Sequence, residues 1–375
     1  MKNNFTPNGG VFFQTLLKTH FNEKNVLDMR PIPFSKDGAT PPRPAQKVLI
    51  LSDLHMGDGG YGDDLSHNGP MLTTLLREKY LAEGWNLVLN GDVEDVQRYR
   101  LSKIKRAWKE LYGVFDGFAE KNMLYKTIGN HDGSLIFEKD YPYPLAIAIK
   151  IETAYNPIYV YHGHQASPVY TRFDPLLHFF IRYFLRPLGI PTMNISRNPG
   201  KRFFIEKEAY DFSIKNGCIS IIAHTHRPLF KSLGRFEYIK YEIETHCRNY
   251  QNAQGEERER IRKAVALLRS DLKKLSASEK RGALRGSLYG DDLPVPCLFN
   301  SGCAISKKGV NAIELDGQNI ALVYWFAPGA ARAFVKRGGY KIEELPGGGF
   351  YKAVLNKDSL AYIASRIELL KFPPA

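Results

Sequence analysis

Cysteine is scarce: four in 375 residues, at positions 218, 247, 297 and 303, with no C-x-x-C pair. That excludes a disulfide-built scaffold or a cysteine zinc ribbon, and leaves reduced, mostly buried thiols as the expectation. No apolar run approaches the length that spans a bilayer. The opening residues, Met1-Lys2-Asn3-Asn4, lack the apolar core of a secretory leader. Together these point to a cytoplasmic protein. Internal repeats and low-complexity blocks are absent too. At 43% hydrophobic and 24% charged residues, the chain is globular rather than disordered. Its length accommodates one large domain with insertions or two ordinary ones.

Acidic charge is also short, with 39 Asp and Glu against 52 Lys and Arg, a net charge of +13. The surplus is concentrated. Residues 172–207 carry seven Lys/Arg against two Asp/Glu, and residues 248–285 carry eleven against five. Local basic segments of this kind fit a phosphate-rich, nucleic-acid or anionic-membrane partner. Almost no aromatics interleave 248–285, where stacking against bases would need them, so nucleic acid is the less favoured of the three.

What is present in quantity is a set of short β-forming runs that end in metal-competent side chains. Residues 47–52 (KVLILS) read as a strand buried on both faces and lead into Asp53-Leu54-His55. Residues 85–90 lead into Gly91-Asp92, with Asp95 three residues further on. Residues 123–128 lead into Gly129-Asn130-His131-Asp132, and 158–161 into His162-Gly163-His164. Residues 218–223 lead into His224-Thr225-His226-Arg227-Pro228. In an extended chain residues i and i+2 share a face, so Asp53 with His55, and His224 with His226, are each expected to reach one point. Six of the ten histidines fall at these strand ends. Loops at the carboxyl ends of strands in an α/β sheet are where sites form. Carboxylates, imidazoles and one carboxamide, without thiolate, suit Mn²⁺ first, and also Fe, Zn²⁺ or Mg²⁺. Seven ligands are too many for one four-coordinate ion and fit two divalent ions sharing a carboxylate.

The remaining chain reads as follows. Residues 1–46 form an N-terminal extension with a short helix over 10–20 and a proline-rich linker. Helices are expected from Asn68-Gly69-Pro70 to Gly84 and over 97–121, and strands over 145–151, 236–243, 297–299, 310–315 and 319–325. Asp58, Asp63 and Asp64 read as solvated loop acids, and Asp132 as a turn cap. Two helical insertions, about 166–216 and 245–296, interrupt a domain over 47–326, and 327–375 read as a C-terminal appendage ending in a helix. In the first insertion, His178, Arg182 and Arg186 make a stripe on an otherwise apolar helix, and in the second Ile261, Val265, Leu268, Leu272 and Leu275 make an apolar stripe.

The order Asp-x-His, Gly-Asp, Gly-Asn-His-Asp, His, His-x-His resembles the calcineurin-like metallophosphoesterase superfamily over residues 47–326. Ala223 stands where that family usually has glycine. The resemblance implies a four-layer α/β sandwich of two mixed sheets flanked by helices. It implies one metal ion held by Asp53, His55, Asp92 and His226, and a second held by Asp92, Asn130, His162 and His224. It also implies hydrolysis of a phosphoester by water activated between the ions, with His131 as proton donor oriented by Asp95. The insertion after His162-Gly163 and the ending His-Thr-His-Arg-Pro are similar to the UDP-2,3-diacylglucosamine pyrophosphatase branch, although His131 stands where that branch has Arg and His164 where it has Asp. That likeness implies a nucleotide-sugar or lipid-linked substrate, contacted by Arg182, Arg186, Arg227 and His164, with the 176–186 helix facing acyl chains or the inner face of a membrane. A nuclease or cyclic-nucleotide phosphodiesterase of the same superfamily is the alternative. A non-catalytic scaffold would have lost ligands or donor, and this chain has lost neither.

Overall fold

The computed structural model describes residues 26–29, 47–166, 199–232, 235–274, 295–330, 335 and 340–371. The expected 10–20 helix, Leu176, His178, Arg182, Arg186 and Leu275 lie outside the described residues.

Each short apolar run forms a strand, and alternation within it supplies both faces of a sheet. In β2 (Val48–Leu51) all four residues are buried. Leu49 and Leu51 face one core with Leu87, Leu89, Phe115, Phe118 and Trp325. Val48 and Ile50 face the other with Val88, Ile149, Val160, Ile221 and Ile313. The same division runs through β3 (Asn86–Asn90), which pairs parallel with both β2 and β4 (Leu124–Thr127). β5 (Leu145–Ala146) pairs parallel with β4. On the other side β10 (Val310–Leu315) runs antiparallel to β2, and β11 (Asn319–Phe326) antiparallel to β10. Asp316 and Gly317, with φ +86 at the glycine, turn the hairpin as expected. The smaller sheet orders β1 (Val26–Met29), β6 (Ala148–Ile151), β7 (Ile158–Tyr161), β8 (Ile219–Ile222) and β9 (Leu298–Asn300).

The two mixed sheets lie face to face. Helices α1 (Gly69–Leu75) and α3 (Lys109–Glu120) cover the larger sheet, and α4 (Pro199–Asn216) covers the smaller. The result is the four-layer α/β sandwich expected from the sequence. No helix among the described residues is long and apolar enough to cross a membrane.

Several expectations are corrected. The run 145–151 is two strands, not one. Leu145–Ala146 pairs in the large sheet and Ala148–Ile151 in the small one, so this stretch ties the sheets together. The helix expected over 97–121 is α2 (Leu101–Ala107) and α3, broken at Trp108. The indole of Trp108 lies where a Cβ on Gly69 would be, and its Nε1 donates to Asp63 Oδ2 at 2.9 Å. Asp63 is therefore a buried anchor rather than a solvated acid; it also accepts from the amides of Gly59 and Leu65. After α1 the chain continues as a π-helical turn, Leu76–Leu81.

Residues 236–243 alternate like a strand, yet they lie in helix α5 (Arg235–Tyr250). Ile239, Ile243 and Tyr250 share a helical face with partial to full burial, and α5 packs on α6 (Gly255–Lys274). Burial at the helical period overrides local β propensity. The α6 stripe of Ile261, Val265, Leu268 and Leu272 is its buried to half-buried side. At the C-terminus, β12 (Ile342–Leu345) and β13 (Phe350–Ser359) extend the large sheet through β11, and α7 (Leu360–Lys371) packs Ile363 and Ile367 into the inter-sheet core.

Candidate metal centre

The carboxyl ends of β2, β3, β4, β7 and β8 bring the metal-competent side chains together. Asp53 Oδ1 lies 3.1 Å from His226 Nε2 and 3.9 Å from His55 Nε2. His55 Nε2 lies 3.4 Å from His226 Nε2 and 3.9 Å from Asp92 Oδ2. Asp92 Oδ2 is 3.2 Å from His162 Nε2. Ligand atoms of Asp53, His55 and His226 lie within 4.8 Å of one another, and so do those of Asp92, His162 and His224. A third group, His55, Asp92 and His131, overlaps both. Asn130 sits on the adjoining loop, its Oδ1 buried without a hydrogen-bond partner. Asp53 Oδ1 and His162 Nε2 are likewise buried outside hydrogen-bonding alignment with any neighbour. Buried polar atoms are normally satisfied. Three such atoms without an aligned hydrogen bond, on the loops that carry the carboxylates and imidazoles, fit a cation-binding site.

The convergence does not come from the pleat of extended strands. β2 ends at Leu51 and β8 at Ile222, before the ligands begin. Asp53, His55, Asp92, His224 and His226 have φ of 50°, 46°, 51°, 63° and 55°. These are five of the eight non-glycine residues with left-handed φ among the described residues. Each such residue costs on the order of 1–3 kcal/mol and persists only where surroundings dictate it. Here they do. The amides of Asp53, His55 and Met56 donate to the carbonyls of Gly91, Asp92 and Val93. The amide of Thr225 donates to the Ala223 carbonyl across His224, a γ-turn, and the His224 amide donates to Asp53 Oδ2 at 3.2 Å. Asn300 holds that turn through Nδ2, which donates to the Ala223 carbonyl and to Thr225 Oγ1. Close approach also demands glycine. A Cβ on Gly91 would stand 2.5 Å from His162 Nδ1, and one on Gly129 would stand 2.2 Å from Asp92 Oδ1.

Outer hydrogen bonds orient the ligands. His162 Nδ1 donates to the Asn90 carbonyl at 2.9 Å, which aims Nε2 at Asp92. Asp92 Oδ1 accepts from the His131 amide at 2.7 Å. His131 Nδ1 donates to Asp95 Oδ1 at 3.0 Å, leaving Nε2 to carry an exchangeable proton. Asp132 does cap its turn, accepting from the amides of Gly129 and Val93, but it is also buried against the fully buried Lys126 ammonium. Lys126 Nζ donates to Glu94 Oε2 at 2.6 Å as well, and the hydroxyls of Tyr112 and Tyr141 donate to Glu94 Oε1. Sequence reading missed Lys126, although a lysine inside the apolar run 123–128 was the available signal.

The electrostatics follow from burial among these charges. Burial and the neighbouring His131 push His55 down to about 4. Burial and His162 push His224 well below the ordinary imidazole range. Burial opposes charge on His162 too, but Asp92 overrides it and raises the pKa to about 9. His226 is raised well above its usual value because Asp53 outweighs burial. Asp92 is held well below the carboxylate range despite burial, by His162 and His131. His162 and His226 therefore carry protons at neutral pH, and an entering divalent cation must displace them. Mn²⁺ affinity is expected to rise with pH toward about 9, the His162 value, with proton release on binding. Titration calorimetry in buffers of different ionisation enthalpy checks this; uptake without proton release excludes His162 and His226 as ligands.

No family model matches the chain, and no curated protein does. One solved structure, YfcE, a phosphoesterase from E. coli, is similar at 12% identity over 74% of this chain and 91% of that one, with a TM-score of 0.31. At that level of similarity the chemistry of the site rests on its own geometry.

The other sequence-derived site residues divide. His164 is buried, its ring 5.4 Å from that of His162 and 6.3 Å from that of His224. Arg227 is committed to the buried Glu206 of α4 through both Nε and Nη2, which also accepts from Thr225. It braces the His224–His226 turn. Arg182 and Arg186, as stated, fall outside the described residues. The sequence reading also passed over a third basic run, Arg98 to Lys109, with six Lys/Arg and no Asp/Glu.

Proposed function

We propose that the protein is a dinuclear metal-dependent phosphoesterase that hydrolyses a phosphodiester or pyrophosphate bond. The observation that carries this is the placement of Asp92. Its buried carboxylate stands between two sets of ligand atoms, Asp53/His55/His226 and His162/His224, while its other oxygen is tied to the amide of His131. Asp53, His55, Asp92 and His226 would hold one divalent ion, and Asp92, Asn130, His162 and His224 the other. The donor set favours Mn²⁺, with Fe, Zn²⁺ or Mg²⁺ also suited. When bound, such ions supply the Lewis acidity that makes a water nucleophilic near neutral pH and offsets charge on phosphoryl oxygens.

The rest is done by the chain itself. His131 is the proton donor to the leaving oxygen. Burial works against its charge, but Asp92 and the hydrogen bond to Asp95 raise its pKa, which keeps it protonated. Asp95, itself held low by His131 despite burial, fixes the ring so that Nε2 faces the site. His131→Ala is expected to lower kcat by about 10²–10⁴-fold while metal content is retained. In Asp95→Asn the pKa of His131 falls, so the alkaline limb of the rate–pH profile moves to lower pH. A profile that stays in place removes Asp95 from this role.

The test of the whole reading is a hydrolysis panel on metal-reconstituted protein: bis-p-nitrophenyl phosphate, p-nitrophenyl phosphate, nucleotide-sugar diphosphates and single-stranded nucleic acid. Turnover of the diester or the diphosphates, abolished by chelator, is expected. Activity confined to the monoester overturns the bond class proposed, and preference for nucleic acid moves the assignment to a nuclease. A lipid-linked substrate and association with an anionic membrane surface rest on the helix expected from the sequence over 176–186; binding of the chain to anionic liposomes tests them.

A further inference from the structure

The apolar layer between the sheets ends in a polar residue directly beneath the centre. In β3, Val88 packs in that layer, and Asn90, two residues on, points the same way. Asn90 is completely buried. Its Nδ2 donates to the carbonyl of Tyr161 at 3.1 Å and to that of Ile221 at 3.5 Å, and its Oδ1 accepts from Thr127 Oγ1 at 2.8 Å. Its own carbonyl accepts the His162 Nδ1 proton at 2.9 Å.

One amide thus joins four strands across the two sheets. Asn90 and Thr127 end β3 and β4 of the large sheet, whereas Tyr161 ends β7 and Ile221 lies next to the end of β8 in the small one. Each of these strands delivers one ligand. Asp92 follows Asn90 by two residues, Asn130 follows Thr127 by three, His162 is next to Tyr161, and His224 follows Ile221 by three. These four are the set assigned above to the second ion. Ser52, which leaves β2 in the same inward phase as Val48 and Ile50, reaches the 301–302 turn instead. An apolar side chain at position 90 would fill space without an amide to desolvate. A fully satisfied buried amide does something else: it fixes one arrangement of the groups it touches.

Resting on the dinuclear reading, we propose that Asn90 is a positioning residue for the second ion. It sets the gap between Asp92 and Asn130 on one sheet and His162 and His224 on the other, and with it the spacing of the two ions. Ligand constellations have to be held within about 0.5 Å of their working geometry, and ligands drawn from two sheets meet that only if the sheets are tied beside them.

The experiment titrates full-length wild type, Asn90→Leu and Thr127→Val with Mn²⁺ and records the electron paramagnetic resonance spectrum of each. Asn90→Leu removes all three side-chain bonds and leaves the carbonyl; Thr127→Val removes one and keeps its shape. In Asn90→Leu the affinity for one of the two ions is expected to fall about 10- to 100-fold, with the other near wild type. At saturation the exchange-coupled spectrum of the Mn²⁺ pair is expected to change, since coupling depends steeply on spacing. A loss of general stability alone would leave that coupling in place. Thr127→Val is expected to move both readouts the same way by less, and carries the test by itself if Asn90→Leu does not fold. Folded variants with wild-type affinities and an unchanged coupled spectrum overturn the proposal. Wild type that binds fewer than two ions, or two that are uncoupled, defeats the dinuclear reading instead. The ring N–H of His162 then decides Asn90: in chelator-treated, ¹⁵N-histidine-labelled protein its exchange with solvent is expected to quicken about fivefold or more in the variants, the equivalent of about one hydrogen bond. An unchanged rate overturns the positioning role.

Discussion

Asp92→Asn is expected to reduce bound metal from the two ions per chain proposed to one or none, and to lower kcat/KM by roughly a thousandfold or more, the scale of several kcal/mol of lost charge stabilisation. The substitution keeps the shape of the side chain, and the His131 amide can still donate to its carbonyl oxygen. What it removes is the negative charge that both ligand sets face. His162 Nε2 at 3.2 Å and His55 Nε2 at 3.9 Å would meet a weaker carboxamide instead of a carboxylate. With Asp92 gone, the His162 pKa falls from about 9 toward or below its ordinary value, because burial is then opposed by far less charge. Elemental analysis of the purified variant, alongside kinetics on the best substrate of the panel, reads both effects. Two ions retained at wild-type affinity would show that Asp92 is not shared between them.

Lys126→Met is expected to cost about 3–5 kcal/mol of stability, the range for stripping one partner from a buried ion pair. The ammonium is completely buried and held by Glu94 and Asp132, both of them buried. Removing it leaves two carboxylates close together in an apolar setting. Each has only neutral partners left: the hydroxyls of Tyr112 and Tyr141 on Glu94, and the amides of Gly129 and Val93 on Asp132. The same groups join the loop after β3, which carries Asp92, to the loop after β4, which carries Asn130 and His131. Metal affinity should therefore drop about 10- to 100-fold as well, as it does when outer-shell support of a ligand is lost. Denaturant unfolding and Mn²⁺ titration check the two effects. Adding Glu94→Gln to the methionine variant should restore part of the stability, since one of the two buried carboxylates is then neutral and its carbonyl oxygen still accepts from Tyr112 and Tyr141. A Lys126→Met protein as stable as wild type would remove the ion-pair account.

The strands bearing the ligands were legible because they are buried on both faces. Such strands read as unbroken apolar runs, and 47–52, 158–161 and 218–223 all appear that way. Elements whose character depends on what they pack against were not. Residues 236–243 alternate like a strand but become helix because α6 lies alongside. Residues 342–359 are too mixed to stand out, yet they complete the edge of the large sheet by pairing with β11. Trp108 breaks a helix because Asp63 and Gly69, some forty residues away, receive its indole.

By itself the sequence determined which side chains gather at the centre, since each ligand follows directly on a strand and local chemistry names it. Its strand-end motifs also carry the resemblance that implied a layered α/β fold. Only the tertiary structure decided how the ligands converge. The left-handed turns at Asp53, His55, Asp92, His224 and His226 exist because hydrogen bonds from other loops hold them there; Asp and His tolerate that conformation better than most residues, but nothing in the local sequence requires it. The burial of Lys126 and the commitment of Arg227 to Glu206 were decided in the same way. Which charges meet depends on distances between segments far apart in the chain, and those distances are set by packing rather than by sequence spacing.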